Sequence, residues 1–269
     1  MSDQYNQLAA YYHEFFPARE GQLTLLTERA GVAPVRILDV GSGTGEYAAA
    51  LAGAGYQLTG LELNAGMHDR ALARHPELAG SLINGDMLEL EELCTGPFEL
   101  AYCIGGGLAH LESEAEVASV IKAMWEITRP SGSVVLQMTN FDRVLKHGER
   151  TQIASDRRVS ERDAPPGLMY DLPLIELTAA TGEALKLERQ YLLRRAADLE
   201  DPDSQPDKIV FHTKLTVDGT TQENYAPMLI LTYDRLRYCL PREADRVWYG
   251  GFLQEDWNED APATVIVLN

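Results

Sequence analysis

The stretch RILDVGSGTGEYAAALAGAGYQLTGLELN, residues 36–64, decides the fold. It opens on Ile37, Leu38 and Val40, a short apolar run that stops at Gly41. Such a run reads as a strand buried on both faces, as in parallel sheets. Gly41, Gly43 and Gly45 then alternate with other residues, and EYAAALAGAG continues with helical composition, capped by Gly53 or Gly55. YQLTGLEL is a second strand that carries the acid Glu62 near its end. Strand, turn, helix and strand make one right-handed βαβ unit. A glycine turn in this place is either a tight connection that binds nothing or a cradle where a ligand meets the backbone. The acid at the end of the next strand favours the cradle, because a carboxylate there suits ribose hydroxyls.

The same alternation extends in both directions. Leu8, Tyr12, Phe15 and Phe16 share a face of an N-terminal helix that Pro17 ends or bends, and GQLTLLTERAG is a helix stopped by Gly31. Downstream, AGMHDRALARH is a helix ended by Pro76, and GSLINGDM and FELAYCIG are strands. SEAEVASVIKAMWEITRP is a long helix with Ser113 and Glu116 as a capping box and Pro130 beyond its end, and GSVVLQMTN is a fifth strand. After Asn140 the pattern becomes alternating strands split by turn signals: RRVSERD, LMYDLPLIELTA, EALKLERQYLLRRA, DKIVFHTKLTV and QENYAPMLILTY. DLEDPDSQPD reads as an acidic exposed loop, YDRLRYCLP as a helix, and DRVWYGG and TVIVLN as strands that finish the first sheet. The expected fold is α/β, a doubly wound, mostly parallel seven-stranded sheet with an inserted antiparallel β layer. Residues 1–145 and 236–269 would form the ligand-binding domain. Residues 146–235 would form a β-rich cap, a candidate surface for homo-oligomer formation.

Composition limits the partners. With 269 residues the chain is long enough to bury a large core, and its net charge of −18 disfavours nucleic acid and anionic membranes. Three cysteines, Cys94, Cys103 and Cys239, form no CxxC pair and read as reduced thiols. The N-terminus lacks a signal-peptide pattern and no run is long enough for a membrane helix, so a cytoplasmic protein is expected. His13, His68, His75, His147 and His212 show no metal-ligand spacing, and no metal is expected.

Position 46 separates the two ribose-bearing ligands that suit the turn. Dinucleotides place a pyrophosphate at the helix N-terminus and want a small residue there, whereas the chain has Glu46. S-adenosylmethionine has no phosphate and carries a cationic sulfonium, which tolerates an acid. LDVGSGTGEY, LTGLELN and INGDM together resemble the motifs of class I S-adenosylmethionine-dependent methyltransferases. The resemblance implies S-adenosyl-L-methionine as cofactor, with Asp39, Gly41, Gly43 and Gly45 in the first motif. It implies that Glu62, beside Leu63, takes the ribose, that Asp86 meets the adenine amino group, and that Met87 packs on the ring.

CIGGGLAHLESE and LQMTNFDRVL are similar to the glycine N-methyltransferase-like branch, whose members methylate small molecules. Ile104, Gly105, His110, Asn140 and Asp142 match, while Gly106 stands where the branch has asparagine. That resemblance makes His110 and Asn140 the catalytic candidates and places Ile104 at the cofactor. His110 otherwise bonds a loop, and Asn140 is otherwise a turn residue. It also implies an N-terminal lid carrying Tyr12, with Arg19 pairing the methionine carboxylate; core packing and a solvated arginine are the alternatives. Tyr170 and Tyr225 are candidates to cover an acceptor bulkier than glycine. The expected function is methyl transfer to a small-molecule amine or hydroxyl. Glycine/sarcosine N-methylation, an NAD-dependent oxidoreductase and a non-catalytic S-adenosylmethionine-binding protein are the rivals.

Overall fold

The computed structural model describes residues 8–152, 166–194 and 208–269. The expected strand RRVSERD and the acidic loop DLEDPDSQPD lie outside them. Two compact units divide the chain, residues 1–140 with 233–269 and residues 141–232.

The first unit begins with α1 (Tyr12–Phe15) and α2 (Glu20–Ala30), the latter closed by Gly31 at φ 82°. Then come β1 (Arg36–Val40), α3 (Glu46–Gly53), β2 (Gln57–Glu62), α4 (Ala65–Arg74), β3 (Leu82–Asn84), α5 (Leu90–Leu93), β4 (Phe98–Cys103), α6 (Glu114–Glu126) and β5 (Thr128–Thr139). After the second unit the chain returns with α8 (Tyr233–Cys239), β12 (Arg246–Tyr249) and β13 (Ala263–Leu268). The seven strands run in the order β12-β13-β5-β4-β1-β2-β3. All neighbours are parallel except β13, which is antiparallel to β5 and to β12. The order reverses between β1 and β4, so the carboxyl ends of those strands open a crevice. Burial explains the apolar runs: Ile37, Leu38 and Val40 of β1 and Val265, Ile266 and Val267 of β13 are 0% exposed. Leu25 and Leu26 of α2 and Leu51 of α3 join one core with Ile37, Leu100 and Val135. Each fully buried leucine stabilises the sheet by about 1.5–3 kcal/mol.

The second unit holds α7 (Phe141–His147) and an antiparallel sheet of β6 (Glu149–Gln152), β7 (Pro166–Asp171), β8 (Ile175–Thr178), β9 (Ala184–Arg194), β10 (Lys208–Val217) and β11 (Thr220–Leu229). Their order is β11-β10-β9-β7-β6, with β8 also on β9. Asp218 at φ 46° and Gly219 at φ 82° close β10 onto β11 in a two-residue hairpin, the turn expected of an Asp-Gly pair. Period-two alternation buries Leu185, Leu187, Tyr191, Leu193, Ile209 and Leu215 on one face. The other face carries a polar row, Asp171, Gln190, His212 and Tyr225, aligned by register across four strands.

Three local expectations are corrected. Pro130 lies beyond the end of α6 at Glu126, as expected, but already inside β5, which starts at Thr128 and not at Gly132. There the β4–β5 register shifts between Phe98 and Leu100, and a proline needs such an irregularity in a central strand. LMYDLPLIELTA is two strands, β7 and β8, because Pro173 interrupts the ladder. The Ser113 Oγ accepts from Glu116 N–H at 3.2 Å, but the Glu116 carboxylate reaches Glu112 N–H, at 2.8 Å, instead of the Ser113 amide.

Candidate functional site

The turn after β1 folds by its own backbone. Gly41 and Ser42 N–H both donate to the Leu61 carbonyl, at 2.7 and 3.0 Å, and Gly45 N–H donates to the Ser42 carbonyl at 2.9 Å. Gly43 and Gly45 sit at φ 56° and 80°, where L side chains are strained. Their neighbours differ. A Cβ on Gly45 would come 3.1 Å from the Ala71 Cβ, so that glycine lets α3 pack on α4. A Cβ on Gly43 would face the Tyr12 ring at 3.8 Å.

Glu62 ends β2 beside this turn. Its Oε2 accepts from Gly43 N–H and its Oε1 from Asn64 N–H, both at 2.8 Å. Burial raises its pKa above the usual carboxylate range, while those two N–H bonds and nearby His68 hold the rise back. Both oxygens keep further lone pairs, so the carboxylate is fixed in orientation and still able to accept from a diol. Asn64 then caps α4, its Oδ1 accepting from Met67 N–H at 2.9 Å.

A cavity of about 360 Å³ opens at the carboxyl ends of β1, β2 and β4. Gly41, Gly43, Glu62 and Asn64 form its polar side; Leu61, Leu63, Met67, Met87 and Ile104 form its apolar side. Tyr12, Gly105, Gly107 and His110 complete it. An apolar slot next to a fixed carboxylate suits a nucleoside. Desolvation pushes the His110 imidazole down to about 4, so it is neutral at pH 7.

Asp39 lies behind the turn, 3% exposed, and burial raises its pKa to about 7, with the Tyr102 hydroxyl opposing the rise and the Glu62 charge adding to it. Burial, with Asp39 nearby, lifts the Cys103 thiol to about 12 and leaves it inert.

Several expected site residues stand elsewhere. Asn140 is not at the cavity: it is 1% exposed and its Nδ2 donates to the carbonyls of Asn258 and Ala261 at 3.1 and 3.0 Å. It ties the end of β5 to the loop before β13. Arg19 is exposed and does not line the cavity; its backbone N–H donates to the Tyr47 hydroxyl at 3.3 Å. The Asp86 Oδ1 accepts from Leu88 N–H at 3.0 Å and caps the turn holding Met87. Gly45 packs helices, as above. Gly106 is buried at φ 84° and is not in the wall, which Gly105 and Gly107 supply instead. Glu46 does not face the cavity either. It pairs with Arg74 at 3.2 Å and His75 at 3.3 Å, so its charge is balanced inside the protein and repels a phosphate less than expected. Tyr225 stacks on His212 and the Tyr170 hydroxyl accepts from Arg143, each within the second unit. Among the described residues no three His, Cys, Asp or Glu side chains come together to hold a metal ion, and no helix is long and apolar enough to cross a membrane.

Asn64 and Met67 were missing from the sequence reading. The signal for them is an N-cap residue two positions after Glu62, which places the first turn of α4 at the cavity.

Residues 37–132 match the family model described as "Methyltransferase domain". The ubiquinone biosynthesis O-methyltransferase of Pseudomonas aeruginosa (strain LESB58) is 31% identical over 132 residues, 48% of this chain and 53% of that protein. The glycine/sarcosine N-methyltransferase of Halorhodospira halochloris is 26% identical over 115 residues, 42% of this chain and 43% of its own. The chain thus spans about half the length of the curated relatives it matches. Among solved structures, the CcbJ methyltransferase from Streptomyces caelestis superposes with a TM-score of 0.69 at 16% identity, covering 100% of this chain and 96% of its own. Residues 37–132 are thus similar to a methyltransferase domain, and the chain shares its fold with a solved methyltransferase.

Proposed function

We propose that the chain transfers a methyl group from S-adenosylmethionine to a small-molecule acceptor, an amine or a hydroxyl. The observation that carries this is the Glu62 carboxylate, gripped by Gly43 and Asn64 N–H on the wall of the cavity. Fixed donors and acceptors of this kind bind a ribose diol without further reorganisation. The cavity also fits the rest of the cofactor: Leu63, Met87 and Ile104 offer apolar faces to adenine, and the open backbone at Gly41 and Gly43 admits the methionine arm. Asp86 would reach the adenine amino group with the oxygen that the Leu88 N–H does not occupy. Arg19 would need to swing inward to meet the methionine carboxylate.

When bound, the cofactor supplies a methyl carbon already activated by its sulfonium. The chain's own residues then align the acceptor and exclude water. His110 stands at the cavity in its neutral form. An imidazole with so low a pKa is a weak proton acceptor, which suits an amine that arrives deprotonated better than an unactivated hydroxyl. Its role is to orient such an amine by hydrogen bonding.

A transfer assay with labelled S-adenosylmethionine against amines, phenols, glycine and sarcosine tests the proposal. Labelled product with amines, and less with phenols, is expected. Turnover of glycine or sarcosine in preference to larger amines would replace the reading by glycine/sarcosine N-methylation. Cofactor binding with no product from any acceptor would leave a binding protein.

A further inference from the structure

The N-terminal segment is held over the cavity from outside. Tyr12, on α1, forms part of the cavity wall next to Gly43. Leu8, Ala9 and Phe15 are buried and anchor the segment by apolar packing. Two polar bonds fix its ends. The Arg70 Nη2 donates to the Ala10 carbonyl at 3.0 Å, and the Tyr47 hydroxyl accepts from Arg19 N–H at 3.3 Å.

Arg70 belongs to a stripe on α4. Asn64, Met67, Arg70 and Arg74 follow one another at intervals of three and four, so they share one helix face. The Asn64 backbone N–H donates to Glu62, and Asn64 and Met67 line the cavity. Arg70 takes the N-terminal segment, and Arg74 takes Glu46 on α3. The N-cap and side chains of α4 thus touch the carboxylate, the cavity, the N-terminal segment and the helix that follows the glycine turn.

We propose that Arg70 is a positioning residue, a latch that α4 uses to hold residues 8–19 and Tyr12 closed over the cofactor. The proposal rests on reading the cavity as the cofactor site. It touches no reacting atom. Opening the Arg70–Ala10 bond frees the Tyr12 side of the cavity for cofactor entry and product departure, while the Tyr47 bond acts as the hinge end.

The test compares wild type with Arg70→Ala and with Arg70→Met, which keeps most of the apolar stem without the donor. Amide hydrogen exchange is followed at residues 8–19 and in the sheet without cofactor, and S-adenosylmethionine affinity and dissociation rate are measured by stopped-flow. Both variants should speed exchange at residues 8–19 by about tenfold, the order expected for one lost charge-assisted bond, with β1 and β4 unchanged. The dissociation constant for S-adenosylmethionine should rise by a similar factor, through faster release, and KM for it should rise more than kcat falls. Arg70→Lys should recover part of the loss. Unchanged exchange at residues 8–19 in both folded variants would overturn the latch, as would an unchanged dissociation constant. If wild type fails to bind S-adenosylmethionine, the reading of the cavity falls, and the exchange result alone still decides the latch. Should Arg70→Ala not fold, Arg70→Met decides it.

Discussion

The two units of the chain are specified in different ways. The first is a mostly parallel sheet whose inner strands carry buried apolar runs, and its cavity is lined from two short consecutive stretches, GSGTG and then LELN. The second is an antiparallel sheet with one buried and one polar face, and no short motif distinguishes any of its strands. The methyltransferase model stops at residue 132, before the second unit begins at residue 141. A cofactor common to many reactions demands fixed backbone geometry. A layer that alternates polar and apolar residues satisfies only its own register and tolerates wide change in side chains.

If the contrast holds, substitutions at the glycine turn and around Glu62 should be severe and those on the polar face of the second sheet mild. The largest effect is expected at Gly43→Val. A branched Cβ at φ 56° is strained and points at the Tyr12 ring, so cofactor binding should fall by a thousandfold or more, roughly 4 kcal/mol. Calorimetry beside circular dichroism checks that the variant folds and does not bind.

The next effect is on stability against pH. Burial holds the His110 imidazole at about 4 in the folded chain, below the ordinary value of 6.5 that it regains on unfolding. Its folded pKa is depressed, so the unfolded state binds more protons between those values. Its contribution is complete above pH 6.5 and disappears as pH falls to 4, up to about 3 kcal/mol. Asp39, raised from 3.8 to about 7, works in the opposite sense: its contribution is complete below pH 3.8 and is lost as pH rises through 7. Denaturant melts of His110→Asn and Asp39→Asn across pH 4–8 should each expose one of these opposed slopes, relative to wild type.

Glu62→Gln should weaken S-adenosylmethionine binding by about 1–3 kcal/mol, because the amide can offer only one acceptor oxygen to two N–H groups and its NH2 opposes the other. Equal affinity of wild type for the cofactor and its 2′-deoxy analogue would remove the ribose role.

Asn140 sharpens the comparison inside the first unit. Asn140→Ala should cost about 1–2 kcal/mol of stability, because two buried carbonyls lose their donor, and should leave cofactor affinity nearly unchanged. A collapse of turnover in a variant of near-normal stability would restore its catalytic assignment.

Legibility followed the distance between partners. Gly41, Gly43 and Glu62 line one cavity and lie within one βαβ unit, so their nearness follows from local sequence order. Asn140 could not be read, since its bonds run to residues 118 and 121 positions away. Glu46 misled for the same reason: Arg74 and His75, which turn it aside, come from the next helix. The seven-stranded sheet was legible from alternation of strand and helix, whereas the break at Pro173 needed the ladder of β9 to reveal two strands in place of one.

In the second unit the smallest effect is expected at Tyr225→Phe. The tyrosine is 45% exposed, and its hydroxyl bond to Glu223 lies at the surface, so the change should stay within about 0.5 kcal/mol in a denaturant melt. A loss of several kcal/mol there would show the polar face to be as tightly specified as the glycine turn.

On the proposed reading, the glycine turn and Glu62 build a site for S-adenosylmethionine. Isothermal titration of the wild-type chain with S-adenosylmethionine and, separately, with NAD tests it most directly. Saturable binding of one S-adenosylmethionine per chain, with no heat from NAD and none from S-adenosylmethionine in Gly43→Val, is predicted. Binding of NAD in place of S-adenosylmethionine, or equal binding of S-adenosylmethionine by a folded Gly43→Val, would contradict it.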